Sequence, residues 1–177
     1  MNLRQSRSRM IRPVVAFVAA ALGLVAAASA EPDRVPIAII VSAEWDSMSK
    51  VSVRELQSVY LRKSKRLLGV AVRPVDHPPD SAIYDAFMKQ VLKKSRKILV
   101  DHWLEQALTG GTRPPRQIKN SRAVIDFVSR NVGAIGYVGL DSLDVAGSPG
   151  VKIVPLDTRD GAMTPSDPGY DLTYTRR

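Results

Sequence analysis

The stretch His77-Pro-Pro-Asp-Ser-Ala-Ile-Tyr-Asp-Ala-Phe87 places two prolines, an acid and a serine directly before an amphipathic run. Ile83, Tyr84, Phe87, Met88 and Val91 recur at helical spacing, so Ser81 stands at a helix N-terminus. Such an end offers unpaired backbone N–H groups and a partial positive charge, which suit phosphate, sulfate or a carboxylate. Ser81 has two uses there: donating its hydroxyl to an anion, or capping its own helix. A carboxylate at Asp80 would occupy the same donors and repel an incoming anion. His77, beside Asp76, lies just ahead of the mouth, and Ala82 opens the helix itself. Further donors on loops at strand or helix ends are Ser42, Ser47, Ser49, Thr109 and the backbone of Gly110 and Gly111, each of which also reads as an ordinary loop residue.

Other chemistries find little support. The chain has no Gly-x-Ser-x-Gly elbow, no His-Glu-x-x-His and no Walker loop. Its two histidines, His77 and His102, fall in different segments, and His102 shares an apolar stripe with Trp103, where a hydrogen-bonded core histidine is the plain reading. Gly133, Gly136 and Gly139 lead from a helix into a strand, the reverse of a dinucleotide fingerprint, and read as a helix stop with close backbone packing. The absence of cysteine excludes disulfides, thiol nucleophiles and thiolate metal sites together. The expectation is a protein that is not an enzyme, with no metal and no cofactor.

The elements that must hold the Ser81 mouth follow from patterning. Arg4, Arg7, Arg9 and Arg12 precede an apolar run from Pro13 to Val25 and then Ala28-Ser29-Ala30, the order of a secretory signal peptide occupying residues 1–30. The apolar run is shorter than the roughly 20 residues needed to span a bilayer; an uncleaved anchor is the other reading. Cleavage would remove four arginines from a net charge of +9, which weakens the case for nucleic acid, as does the scatter of basic residues away from aromatics. A bacterial periplasm is the expected address.

Beyond the leader, Ile37-Ala-Ile-Ile-Val41 predicts a strand buried on both faces, Val53 to Tyr60 a helix, and Leu68 to Val75 a second strand. The basic run Arg62, Lys63, Lys65 and Arg66 reads as a solvated helix end, with an anion site as the other reading. Helices are predicted from Ser81, from Ser95 with a stripe of Ile98, Leu99, His102 and Trp103, and from Asn120 or Ser121. Ala134 to Val138 and Val151 to Val154 read as short strands, and Tyr170, Leu172 and Tyr174 permit one late strand. The fold class is α/β with a largely parallel sheet flanked by helices, in one domain over residues 31–156, with residues 157–177 as a C-terminal tail.

Three stretches resemble the phosphate-specific substrate-binding proteins of periplasmic ABC transporters. They are Val51-Ser-Val-Arg-Glu-Leu-Gln-Ser-Val-Tyr-Leu61-Arg-Lys, Pro74 through Phe87, and Ala123 through Val138 with its Ala-Ile-Gly-Tyr strand. Trp103 with Leu108-Thr-Gly-Gly-Thr-Arg-Pro-Pro115 is similar to short, single-lobe members of that family. The resemblance implies a type II periplasmic-binding-protein-like lobe, a small oxyanion such as phosphate as ligand, and an ABC permease or membrane sensor as partner; it admits a homodimer. It also implies an Arg-x-Asp-Gly-Ser-Gly-Thr stretch at the anion, of which only Ser81 is matched: His77 stands at the Arg position, Pro79 at the Asp position and Ile83 at the Thr position. Micromolar affinity needs about 8 kcal/mol, which one hydroxyl and one helix end do not supply. Weak oxyanion recognition is therefore the leading expectation, and a ligand-free periplasmic adaptor on the same scaffold is the alternative.

Overall fold

The computed structural model describes residues 33–143, 148–158 and 161–176, so the expected signal peptide lies outside the described residues, as does part of the connection after Leu143. Strand β1 (Arg34–Ser42) carries the β-branched run. A two-residue bridge, β2 (Val51–Ser52), leads into α1 (Val53–Tyr60). The Ser52 hydroxyl accepts from the Glu55 amide at 3.2 Å while the Glu55 carboxylate accepts from the Ser52 amide at 2.8 Å, a reciprocal cap. Ser52→Ala is expected to cost about 1 kcal/mol in urea unfolding.

The predicted strand over Leu68–Val75 is instead a tight hairpin followed by a strand. Its arms are β3 (Arg66–Leu67) and β4 (Val70–Ala71), joined through Leu68 and Gly69 with φ of 50° and 79°. A two-residue hairpin turn of this hand requires positive φ at both positions, which Gly69 adopts freely and Leu68 does not. Strand β5 (Arg73–Asp76) then runs to the His77 loop, and α2 (Ala82–Phe87) continues without a break into a π-helical turn, Met88–Leu92. Helix α3 (Arg96–Leu108), the bridge β6 (Arg116–Gln117), α4 (Ser121–Ser129), capped by Asn120, and β7 (Ala134–Gly139) follow. A 3-10 turn over Leu140–Ser142 and three short strands, β8 (Val151–Ile153), β9 (Leu156–Thr158) and β10 (Gly161–Met163), lead to β11 (Thr173–Thr175), the late strand.

The main sheet has the order β11-β1-β7-β5-β6, with β8 against the Ser42 end of β1. Strands β7, β5 and β6 are parallel, but β1 is antiparallel to β7, β8 and β11, so the expected largely parallel sheet is mixed. A continuous apolar run buries both faces whichever way it points, so it carries no direction. Alternation along β1 and β7 divides the interior in two. Ile37, Ile39, Val41, Ile135 and Tyr137 join α1, α2 and the π turn on one face, while Ala38, Ile40 and Val138 pack against α4 on the other. Gly136 marks the second contact, since a Cβ there would come within 2.8 Å of Val124.

Described residues beyond 156 are part of this body. Strand β11 extends the sheet, Leu172 is buried in the core, and the Tyr170 hydroxyl donates to the Ile37 carbonyl at 2.6 Å. The expected boundary at 156 therefore does not separate a tail from the core. The stripe expected on α3 is thinner than predicted: Leu99 is buried and Trp103 packs partly, but Ile98 is 51% exposed. His102 is only partly buried, with Nε2 3.4 Å from the Leu61 carbonyl.

Candidate functional site

Parallel strands β5, β7 and β6 end on the same side of the sheet, the side on which open α/β sheets bind ligands. The loop from His77 to Ser81 leaves β5 there. Beneath it Asp76 and His77 are both buried, 8% and 2% exposed. Asp76 Oδ1 accepts from the Tyr137 hydroxyl and from the His77 amide, the latter at 3.0 Å. Burial raises the Asp76 pKa to about 6, against the lowering effect of those two bonds. His77 Nε2 donates to the Tyr137 carbonyl at 2.8 Å, and burial lowers the pKa of this imidazole. Phe87 stacks on the Tyr137 ring with centroids 3.8 Å apart, and Tyr60 closes the cluster, donating to the Val75 carbonyl at 3.1 Å.

The mouth itself is a made cap. Ser81 Oγ donates to the Pro78 carbonyl at 2.7 Å and accepts from the Tyr84 amide at 3.4 Å, so of its two uses the structure realises capping. That leaves the amides of Ala82 and Ile83 as the donors at this end. Asp80 is exposed on the preceding turn. A cleft of about 300 Å³ runs from Ala82 along α2 to β11 and carries the cations Arg34 and Lys89 and one acid, Asp85, which pairs with Arg96 at 2.6 Å.

The other predicted donors do not gather here. Because β1 is antiparallel to β7, Ser42 lies at the opposite end of the sheet, fully buried, with Oγ accepting from the Glu44 amide at 3.3 Å. Ser47 Oγ accepts from the Trp45 indole at 3.0 Å on the same far loop. The Thr109 hydroxyl donates to the Glu105 carbonyl at 2.9 Å, closing α3, and Gly110 takes φ 70° to leave that helix. Sequence reasoning missed Tyr137 as the partner of Asp76; the inward half of the Ala-Ile-Gly-Tyr alternation was its available signal. It also missed Arg34 and Lys89, which no local pattern sets apart. Among the described residues no group of histidine and acidic side chains could hold a metal ion, and no helix is long and apolar enough to cross a membrane.

No family model and no curated protein matches the sequence. Solved structures do. The chain is similar to PstS from Borrelia burgdorferi at 13% identity, covering 80% of this chain and 55% of that one with a TM-score of 0.55. It is also similar to an ABC-type phosphate transport receptor from Vibrio cholerae at 14% identity, covering 80% and 55% with a TM-score of 0.54. The chain spans about half the length of the structures it matches. At these identities the likeness is one of fold: the α/β body built around β1, β7 and β5 has the architecture of phosphate-type ABC transporter substrate-binding structures.

Proposed function

We propose that the chain is a secreted, periplasmic binding protein that recognises a small oxyanion such as phosphate weakly and presents it to an ABC permease or membrane sensor. The observation that carries this reading is the fold, shared with phosphate-transport structures, with a helix mouth at the carboxyl end of β5. Two amides donating to a charged ligand net roughly 1.5–3 kcal/mol each, and the helix end adds about 0.3–1. Asp80 subtracts by repulsion, and the Ser81 hydroxyl contributes only by leaving Pro78. The sum sits near the roughly 4 kcal/mol of a millimolar ligand. This reading assigns the opposite wall of the cleft to a second copy of the chain or to the membrane partner.

Isothermal calorimetry with phosphate, sulfate and a phosphonate tests this. Saturable binding in the millimolar range is expected. Ala82→Pro removes one of the two amides at the first helical position, where proline fits, and after a Ser81 already extended at φ −81°, ψ 143°. That variant is expected to keep its fold and to bind about tenfold more weakly. The alternative, a ligand-free adaptor, is favoured by the inward Ser81 hydroxyl and by His77, Pro79 and Ile83 at the unmatched positions. No heat from tens of millimolar anion in a folded protein would select it.

A further inference from the structure

We infer that the chain carries a second anion site, for a compact polyphosphate-type anion, in the basic cleft between α1 and the turn that follows the π segment. This does not rest on the reading of the Ser81 mouth. The cleft holds about 340 Å³, more room than one tetrahedral oxyanion fills, and Arg54, Lys63, Lys93 and Lys94 line it with no acidic residue among the lining. Among the described residues none of these four cations joins an ion pair. Asp101 and Glu105 stand in the adjoining cleft that Lys63 and Lys94 also line, but neither acid pairs with those lysines; the remaining excess of like charge repels, and a multivalent anion relieves that repulsion.

Three segments build the cleft. Arg54, Gln57, Ser58 and Leu61 fall on one face of α1 and its cap. Gln57 Nε2 donates to the Val91 carbonyl at 2.8 Å, tying that face to the π turn. Lys93 and Lys94 follow the turn, and Lys93 is held left-handed at φ 52°, a conformation that glycine would adopt without strain. Arg62, the neighbour of Lys63 but outside the cleft lining, is also left-handed, at φ 59°, and its Nε is buried with no acceptor. Lysines at helix C-termini complement the helix dipole, which accounts for Lys63, Lys93 and Lys94. It does not account for Arg54, which stands in the first turn of α1, at the positive end. Three of the four cations are lysines, point charges that bind phosphate oxygens without demanding one orientation, and Arg54 adds a fork that fits a phosphate bidentately. Lys93 ends the helical segment that Ala82 begins, so the two anion sites lie roughly 15 Å apart.

The test is calorimetry and thermal unfolding of the purified protein with tripolyphosphate and with orthophosphate at matched ionic strength. Tripolyphosphate is expected to bind saturably and about tenfold more tightly than orthophosphate. Lys94→Gln is expected to weaken it by about tenfold, and Lys93→Gly to do the same while raising the unliganded unfolding temperature. Arg130→Gln removes an equal charge from α4 and is expected to change affinity by less than about twofold. The inference is overturned if tripolyphosphate does not saturate, if Lys94→Gln leaves its affinity unchanged, or if Arg130→Gln weakens it as much as the cleft variants do.

Discussion

Phe87→Ala is expected to lower the stability of the protein by about 4 kcal/mol, within the range of roughly 3–5 found when a buried phenylalanine is truncated. The side chain is 1% exposed, stacks on Tyr137 with an interplanar angle of 3° and meets the Tyr60 ring at a tilt of 58° with centroids 4.8 Å apart. Tyr60 and Tyr137 are both fixed, the first by its bond to the Val75 carbonyl and the second by its bond to Asp76. Neither ring can lean into the space left behind without breaking a buried hydrogen bond, so the cavity stays open. Against a total of about 5–15 kcal/mol for such a domain, the loss lowers the unfolding midpoint by roughly 10–15 °C. Urea titration checks it: the midpoint should fall with an unchanged slope. Leu104→Ala, on the exposed face of α3, should change stability by less than about 0.5 kcal/mol. A Phe87→Ala loss no larger than that would mean the aromatic cluster does not anchor α2 to the sheet.

The part of this arrangement that could be read in advance was the part governed by local pattern. Ile83, Tyr84, Phe87, Met88 and Val91 repeat at helical spacing behind a capping serine, and all five are buried. Val53 to Tyr60 was equally clear from the spacing of Leu56, Val59 and Tyr60, and the Ser52 and Glu55 cap that the structure adds agrees with it. Strand direction had no such signature, and the consequence reached the site. An antiparallel β1 carries Ser42, at its end, and Ser47, on the loop beyond, away from the loop that Ser81 closes. The hairpin at Leu68 and Gly69 was hidden because leucine is not a residue that left-handed turns select. On α3, Ile98, Val100, Leu104 and Leu108 are exposed on more than one side, so its apolar residues define no single stripe to read. Ser81 itself was legible only as a choice between cap and ligand, since one hydroxyl serves either; the nearby Pro78 carbonyl, a tertiary detail of the turn, engages it.

Asp76 is expected to make the stability of the protein depend on pH in the direction opposite to most carboxylates. Its pKa stands at about 6 in the folded chain against 3.8 for an unperturbed aspartate, with burial as the larger cause. Between those values the folded state holds a proton that the unfolded chain has released. The stabilisation is therefore complete below pH 3.8 and is lost as pH rises through about 6. The shift corresponds to about 3 kcal/mol. His77 works against it: burial lowers its pKa from 6.5, so its contribution is present above pH 6.5 and declines as pH falls. The two slopes oppose each other below pH 6.5, so the wild-type profile there is less steep than Asp76 alone would make it. Asp76→Asn separates them. Asparagine keeps an oxygen to accept from Tyr137 and from the His77 amide but cannot ionise. Any constant cost of its new amide group cancels when the same variant is compared across pH. Measured by urea unfolding, the variant should gain about 2.5 kcal/mol on the wild type between pH 4 and pH 7.5, and its own profile should fall with acid in the direction His77 dictates. A difference between the two proteins that stays constant over that range would show that Asp76 ionises in the fold as readily as in water, and the buried carboxyl beneath the Ser81 loop would then be no more than a solvated strand end.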